Sequence, residues 1–131
     1  MRTFDTGATR DTDAGKPDYE GFLSPLAIAA FGRYMDRHRK QANGVPRASD
    51  NWQKGIPLDA YMKSMWRHFF EVWALHRAGE YPVAQMTEAL CALQFNVQGY
   101  LHEHEKWAGH PSIVVWPITP ALARIDEDDG A

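Results

Sequence analysis

The sequence predicts an all-α protein: a helical bundle with three main helices, an extended N-terminal arm and a Pro-rich C-terminal strap, completed by dimerisation. Three observations carry that expectation. Apolar residues recur at helical spacing in three segments, Pro, Gly and Asn punctuate the joins between them, and both ends of the chain lack a helical period. At 131 residues the chain has the size of one domain, 1–131, divided into an arm over 1–22, a helical core over 24–106, and a strap and acidic tail over 107–131.

The arm is rich in Thr, Asp and Gly, which favour extended or partly disordered chain. Ser24 followed by Pro25 forms a helix start, an N-cap with Pro at the first position. Leu26, Ala29, Ala30, Tyr34 and Met35 then follow at helical spacing to about Lys40, before 43-NGVP-46. A second helix starts after 55-GIP-57 and runs from Leu58 to about Ala78. Its apolar stripe of Leu58, Tyr61, Met62, Met65, Trp66, Phe69, Val72 and Trp73 is too wide for a helix lying on open solvent. Gly79 ends it, and Pro82 opens a third helix to about Lys106, with Val83, Met86, Ala89, Leu90, Leu93, Val97, Tyr100 and Leu101 on its core face. These two helices form an antiparallel hairpin. After Gly109, 111-PSIVVWPITP-120 suits an extended strap. Three helices make a thin core, so the aromatic surface of the middle helix calls for a second copy of the chain, or for the arm and strap wrapped around the bundle.

The one cysteine, Cys91, supports neither a disulfide framework nor a thiolate zinc site, and it falls opposite the core stripe with no paired base. No apolar run approaches the ~20 residues that cross a bilayer, and the N-terminus has no signal-peptide core, so a soluble, cytoplasmic protein is expected. The net charge of −3 hides an uneven distribution. Residues 33 to 54 carry Arg33, Arg37, Arg39, Lys40, Arg47 and Lys54 against Asp36 and Asp50, while 126-DEDD-129 is acidic. The basic segment suits a small anion such as a nucleotide, or it is a solvated helix face. A nucleic-acid partner is not expected, since the segment is short and broken by Asp36.

At ~100° per residue, Ser64, His68 and Glu71 share one flank of the second helix, and Gln85, Asn96 and Glu103 one flank of the third, with Glu88 further round. If these flanks meet, an imidazole, carboxylates and an amide converge on an oxygen-rich site suited to Mg2+ or Mn2+. The alternative for His68 and Glu71 is an ordinary i, i+3 helix pair. His76 reads as a core histidine, and Glu103, in 102-HEHEK-106, as surface.

The runs 15-GKPDYEGFLSP-25, 50-DNWQKGIP-57, 67-RH-68 and 88-EALCALQFNVQGYLHE-103 resemble a bacteriophage and bacterial family described as dATP/dGTP diphosphohydrolase N-terminal domains. That family is similar in layout to the all-α, MazG-like nucleoside triphosphate pyrophosphohydrolases. The resemblance covers about Phe4 to Glu103. It implies metal-dependent hydrolysis of a purine deoxynucleoside triphosphate (dATP or dGTP) to the monophosphate and pyrophosphate, in the host cytoplasm if the chain is phage-encoded. Divalent ions would neutralise phosphate charge and activate a water.

Paired glutamates on the second helix and an ExxD on the third hold the ions in the MazG-like group. This chain departs from that pattern, with His68 and Glu71 on one helix and Glu88, Ala89, Leu90, Cys91 on the other. Either the site is rebuilt, with His68 and Glu71 catalytic and His68, Glu71, Glu88 and Asn96 as metal ligands, joined by Asp18 or Glu20, or catalysis is lost. In the first case Lys16, Lys54 and Arg67 contact phosphate, Trp52 stacks on the base and Asn51 reads its edge. Trp52 also reads as a loop anchor. In the second case the chain is a non-catalytic protein that keeps the fold to bind a nucleotide or a host protein.

Overall fold

The computed structural model describes residues 1–109, so the expected strap and acidic tail lie outside the described residues from position 110 onward. The arm is more structured than its composition predicts. Strands β1 (Arg2–Thr3) and β2 (Thr9–Arg10) pair antiparallel, Arg2 opposite Arg10, around a turn in which Gly7 takes φ 88°. A single helical turn follows, α1 (Tyr19–Phe22), because the Asp18 side chain caps it, accepting from Gly21 N at 3.1 Å.

Helix α2 (Pro25–Arg37) begins as expected: Ser24 Oγ accepts from Ala27 N at 3.2 Å. It stops short of Lys40 because the next residues enter a hairpin-like turn. Arg47 N donates to Arg39 O at 2.7 Å, Lys40 bridges Pro46, and Gly44 at φ 79° turns the chain. The turn returns to a short 3-10 helix, Asn51–Lys54, which leads into α3 (Leu58–Ala78). Gly79, at φ 82°, ends α3, and α4 (Val83–Ala108) runs back along it. Both α2 and α3 pack on α4. The described chain is therefore a helical bundle with a small two-stranded sheet at its N-terminus, and no described helix is long and apolar enough to cross a membrane.

The faces that pack match the predicted stripes in part: Tyr34, Tyr61 and Ala89 are buried as expected, and other positions differ. On α4 the buried residues are Ala89, Cys91, Ala92, Asn96 and Gly99, whereas Leu90, Val97 and Leu101 are exposed. Small side chains let the neighbouring helices approach closely, and bulky ones are turned outward. On one side Tyr34, Cys91 and Ala92 form a core with Ala30, Phe31, Met35 and Phe95. On the other, Tyr61 of α3 lies against Gly99 and meets Phe95 edge-on at 6.0 Å between centroids. Cys91 is thus a core residue and not, as predicted, opposite the core. His76, expected in the core, is exposed, and Glu103, expected on the surface, is half-buried. The α3 stripe is largely uncovered, with Trp66 70% and Phe69 53% exposed.

Candidate functional site

A cavity of about 610 Å3 lies between the C-terminal half of α2, the 39–50 turn and the 3-10 helix, with Phe95 of α4 in its wall. That volume suits a ligand of nucleotide size. Its aromatic lining is Tyr34, Trp52 and Phe95, and its polar lining includes Asn51 and Ser49. Two arginines from the basic segment, Arg39 and Arg47, supply positive charge. The turn holds both in place: Arg39 Nε donates to Arg47 O at 2.9 Å, and Arg47 Nη1 to His38 O at 3.3 Å. Their other N–H groups include Arg39 Nη1, 3.6 Å from the exposed carboxylate of Asp36.

Trp52 sits where cavity and core meet. Its ring stands edge-on to His102 at 4.8 Å and to Phe95 at 6.4 Å, so it anchors the turn on α4 while lining the cavity. His38, the residue that caps α2, also lines the cavity. Its ring rests on Tyr34, 4.2 Å between centroids, and its Nε2 lies 2.6 Å from Glu88 Oε1. Arg37 Nη2 donates to Glu88 Oε2 at 3.0 Å. The hydrogen bonds from His38 and then Arg37 hold the Glu88 carboxyl below the usual carboxylate range. Burial, and then the Glu88 charge, push the Tyr34 hydroxyl up.

The residues expected to bind metal are not gathered. With Tyr61 against Gly99, the antiparallel register of α3 and α4 sets Ser64 at the level of Asn96, His68 at Ala92 and Glu71 at Ala89. Ser64, His68 and Glu71 are half-buried. Glu88, however, points its carboxylate at α2, and the buried Asn96 donates Nδ2 to Ala92 O at 2.8 Å. Among the described residues no three His, Cys, Asp or Glu side chains come close enough together to hold an ion. The four-ligand set of His68, Glu71, Glu88 and Asn96 therefore does not fit a resident metal, because Glu88 is engaged by Arg37 and His38.

The remaining expected phosphate ligands also lie apart from the cavity. Arg67 is exposed and donates Nη2 to Ser64 Oγ at 2.9 Å. Lys54 is exposed at the end of the 3-10 helix, and Lys16 lines a shallow groove of the arm with Arg10 and Asp11. Asp18 is occupied as the α1 cap, and Glu20 is exposed within that turn. Sequence reasoning placed Asn51 and Trp52 together and noted the basic segment, but it did not assign Arg39, Arg47 or His38 to a site. The signal for them was the NGVP turn, which folds the two arginines onto the end of α2. Comparison with family models, curated proteins and solved structures gives no match for this chain.

Proposed function

We propose that the chain binds a purine deoxynucleoside triphosphate in the α2 cavity and hydrolyses it between the α and β phosphates, releasing the monophosphate and pyrophosphate. The observation that supports this reading is the meeting of Trp52 and Asn51 with Arg39 and Arg47 on one cavity of about 610 Å3. In this reading Trp52 offers an aromatic surface to the base, and the Asn51 amide offers both a donor and an acceptor to its edge. Arg39 and Arg47 face the phosphates with guanidinium forks suited to paired oxygens. The reaction type comes from the resemblance of the GKP, NWQKG and RH runs to the diphosphohydrolase family.

Mg2+ or Mn2+ enters here as part of the nucleotide, held by the phosphates and water, since Mg2+ keeps much of its water shell and seldom needs a protein cage. Bound there, it would offset phosphate charge. His68 and Glu71 lie on the α3 flank and do not line the cavity, so no step is assigned to them.

The partner proposed for the exposed face of α3 and α4 is a second copy. Within one copy the buried apolar residues among those described are Tyr34, Tyr61, Ala89, Cys91 and Ala92, a small core for three long helices. Trp66, Phe69, Phe70 and Trp73 recur at i, i+3, i+4 and i+7, and Leu90, Val97 and Leu101 repeat along α4. Two such hairpins packed about a two-fold axis make a four-helix bundle that covers both faces.

Pyrophosphate release from each of the common deoxy- and ribonucleoside triphosphates, with Mg2+ or Mn2+ and with chelator, tests the activity. Turnover of dATP or dGTP is expected. Saturable binding of dATP without any release would leave a nucleotide-binding protein without catalysis.

A further inference from the structure

We infer that His38, oriented by Glu88, is the general base of the α2 cavity, the group that takes the proton from the attacking water. This rests on the hydrolytic reading above and names a catalytic residue for it. The ring is fixed twice, by the 2.6 Å contact from Nε2 to Glu88 Oε1 and by its packing on Tyr34 at 4.2 Å. When Nε2–H is donated to the carboxylate, Nδ1 carries the lone pair of a neutral imidazole, on a residue that lines the cavity. The arrangement is the base-plus-orienting-carboxylate pattern of general-base sites.

Arg37 has a specific part in it. Glu88 Oε2 is paired with the permanent charge of Arg37 at 3.0 Å, so the carboxylate that orients the ring is itself held in place. The other titratable or charged groups around the ring are Tyr34 on α2, with Cys91 of α4 packed on it, and Arg47, whose Nη1 donates to the His38 carbonyl. None of these supplies a second base, since burial pushes both the Tyr34 hydroxyl and the Cys91 thiol up and keeps them protonated.

The step balances without any further reactant. Nδ1 accepts a proton from water as the water oxygen forms a bond to the α phosphorus. The bond from that phosphorus to the bridging oxygen breaks, and its electron pair leaves with pyrophosphate. The imidazolium then returns its proton to the departing pyrophosphate or to solvent, and the enzyme is restored.

The test uses the full chain with dATP, dGTP and Mg2+, comparing wild type with His38→Gln, His38→Ala, Glu88→Gln and Glu88→Asp. Binding is followed by tryptophan fluorescence and folding by circular dichroism. Both His38 variants are expected to stay folded, to bind within a few-fold of wild type, and to lose roughly 10²–10⁴-fold in kcat together with the acidic limb of the pH–rate profile. Glu88→Gln should lower kcat more than it changes KM, and Glu88→Asp should recover part of the loss, which a merely structural role would not produce. An active wild type with a folded His38→Gln of unchanged kcat and pH profile overturns the assignment of the base. A wild type that releases no pyrophosphate overturns the hydrolytic reading, and the base with it.

Discussion

The ring of Tyr61 on α3 lies directly against the backbone of Gly99 on α4, so closely that a Cβ at position 99 would collide with the ring carbons Cε1 and Cζ. A glycine in mid-helix costs about 1 kcal/mol relative to alanine, and here that cost admits an aromatic side chain that is 1% exposed. Gly99→Ala is therefore expected to destabilise the fold by about 1–3 kcal/mol despite its better helix propensity. Urea unfolding at fixed protein concentration measures it, and a stabilised variant would remove the close approach as an organising contact. The Tyr61 hydroxyl is buried without a hydrogen-bond partner among the described residues, so Tyr61→Phe should gain on the order of 1 kcal/mol in the same assay.

That contact also explains which parts of the architecture were legible in the sequence. Helix α3 is bounded by Pro57 and Gly79 and runs over the predicted span, because Pro and Gly act locally. The buried faces were legible in part: Tyr34, Tyr61 and Ala89 are buried as expected, but hydrophobicity ranks Leu90 and Val97 above Gly99 and Ala92, while close packing of two helices selects the small residues. The site was legible in part for the same kind of reason. Asn51 and Trp52 adjoin in sequence, but Glu88 reaches Arg37 and His38 from a distant part of the chain, a pairing that no local pattern encodes.

The Glu88 network makes stability depend on pH in a definite direction. Its folded carboxyl is held below the ordinary value of 4.5 by His38 and then Arg37, so its contribution is complete above that value and is lost as pH falls through the folded one. Wild type should melt above Glu88→Gln at about pH 7, and the gap should narrow as pH falls below the ordinary value of 4.5 and through the lowered folded one. A gap that stays constant across that range would mean the carboxylate charge contributes nothing.

Cys91 is 5% exposed, and burial, followed by the Glu88 charge, pushes its thiol up. The expected outcome is a thiol that resists an aromatic disulfide reagent at about pH 8 in the folded protein and reacts fully in urea. Prompt reaction of the folded protein would show that the α2–α4 core opens readily.

If a second copy covers α3 and α4, Trp66→Glu should convert the assembly to monomers, because a charge placed at the centre of an apolar interface is left unpaired. The dimer dissociation constant is expected to rise by at least ~30-fold, equivalent to about 2 kcal/mol, as read by light scattering over a concentration series. The same substitution on a face that stays exposed would leave both mass and melting temperature unchanged.

Trp52 permits a separation of packing from binding. Its edge-on contacts with His102 and Phe95 predict that Trp52→Ala lowers the melting temperature whether or not a nucleotide binds. Base stacking adds a second expectation, a loss of about 1–3 kcal/mol in dATP affinity, which Trp52→Phe should largely restore because a smaller ring still presents a face. Arg47→Ala, compared in parallel, should weaken binding of the triphosphate far more than that of the nucleoside if the guanidinium meets phosphate and not base, as proposed. Calorimetric titration with dATP and deoxyadenosine distinguishes the two contributions. Equal affinities for both ligands in wild type would show that the arginines of the turn do not engage the phosphates, and the cavity would then be no triphosphate site.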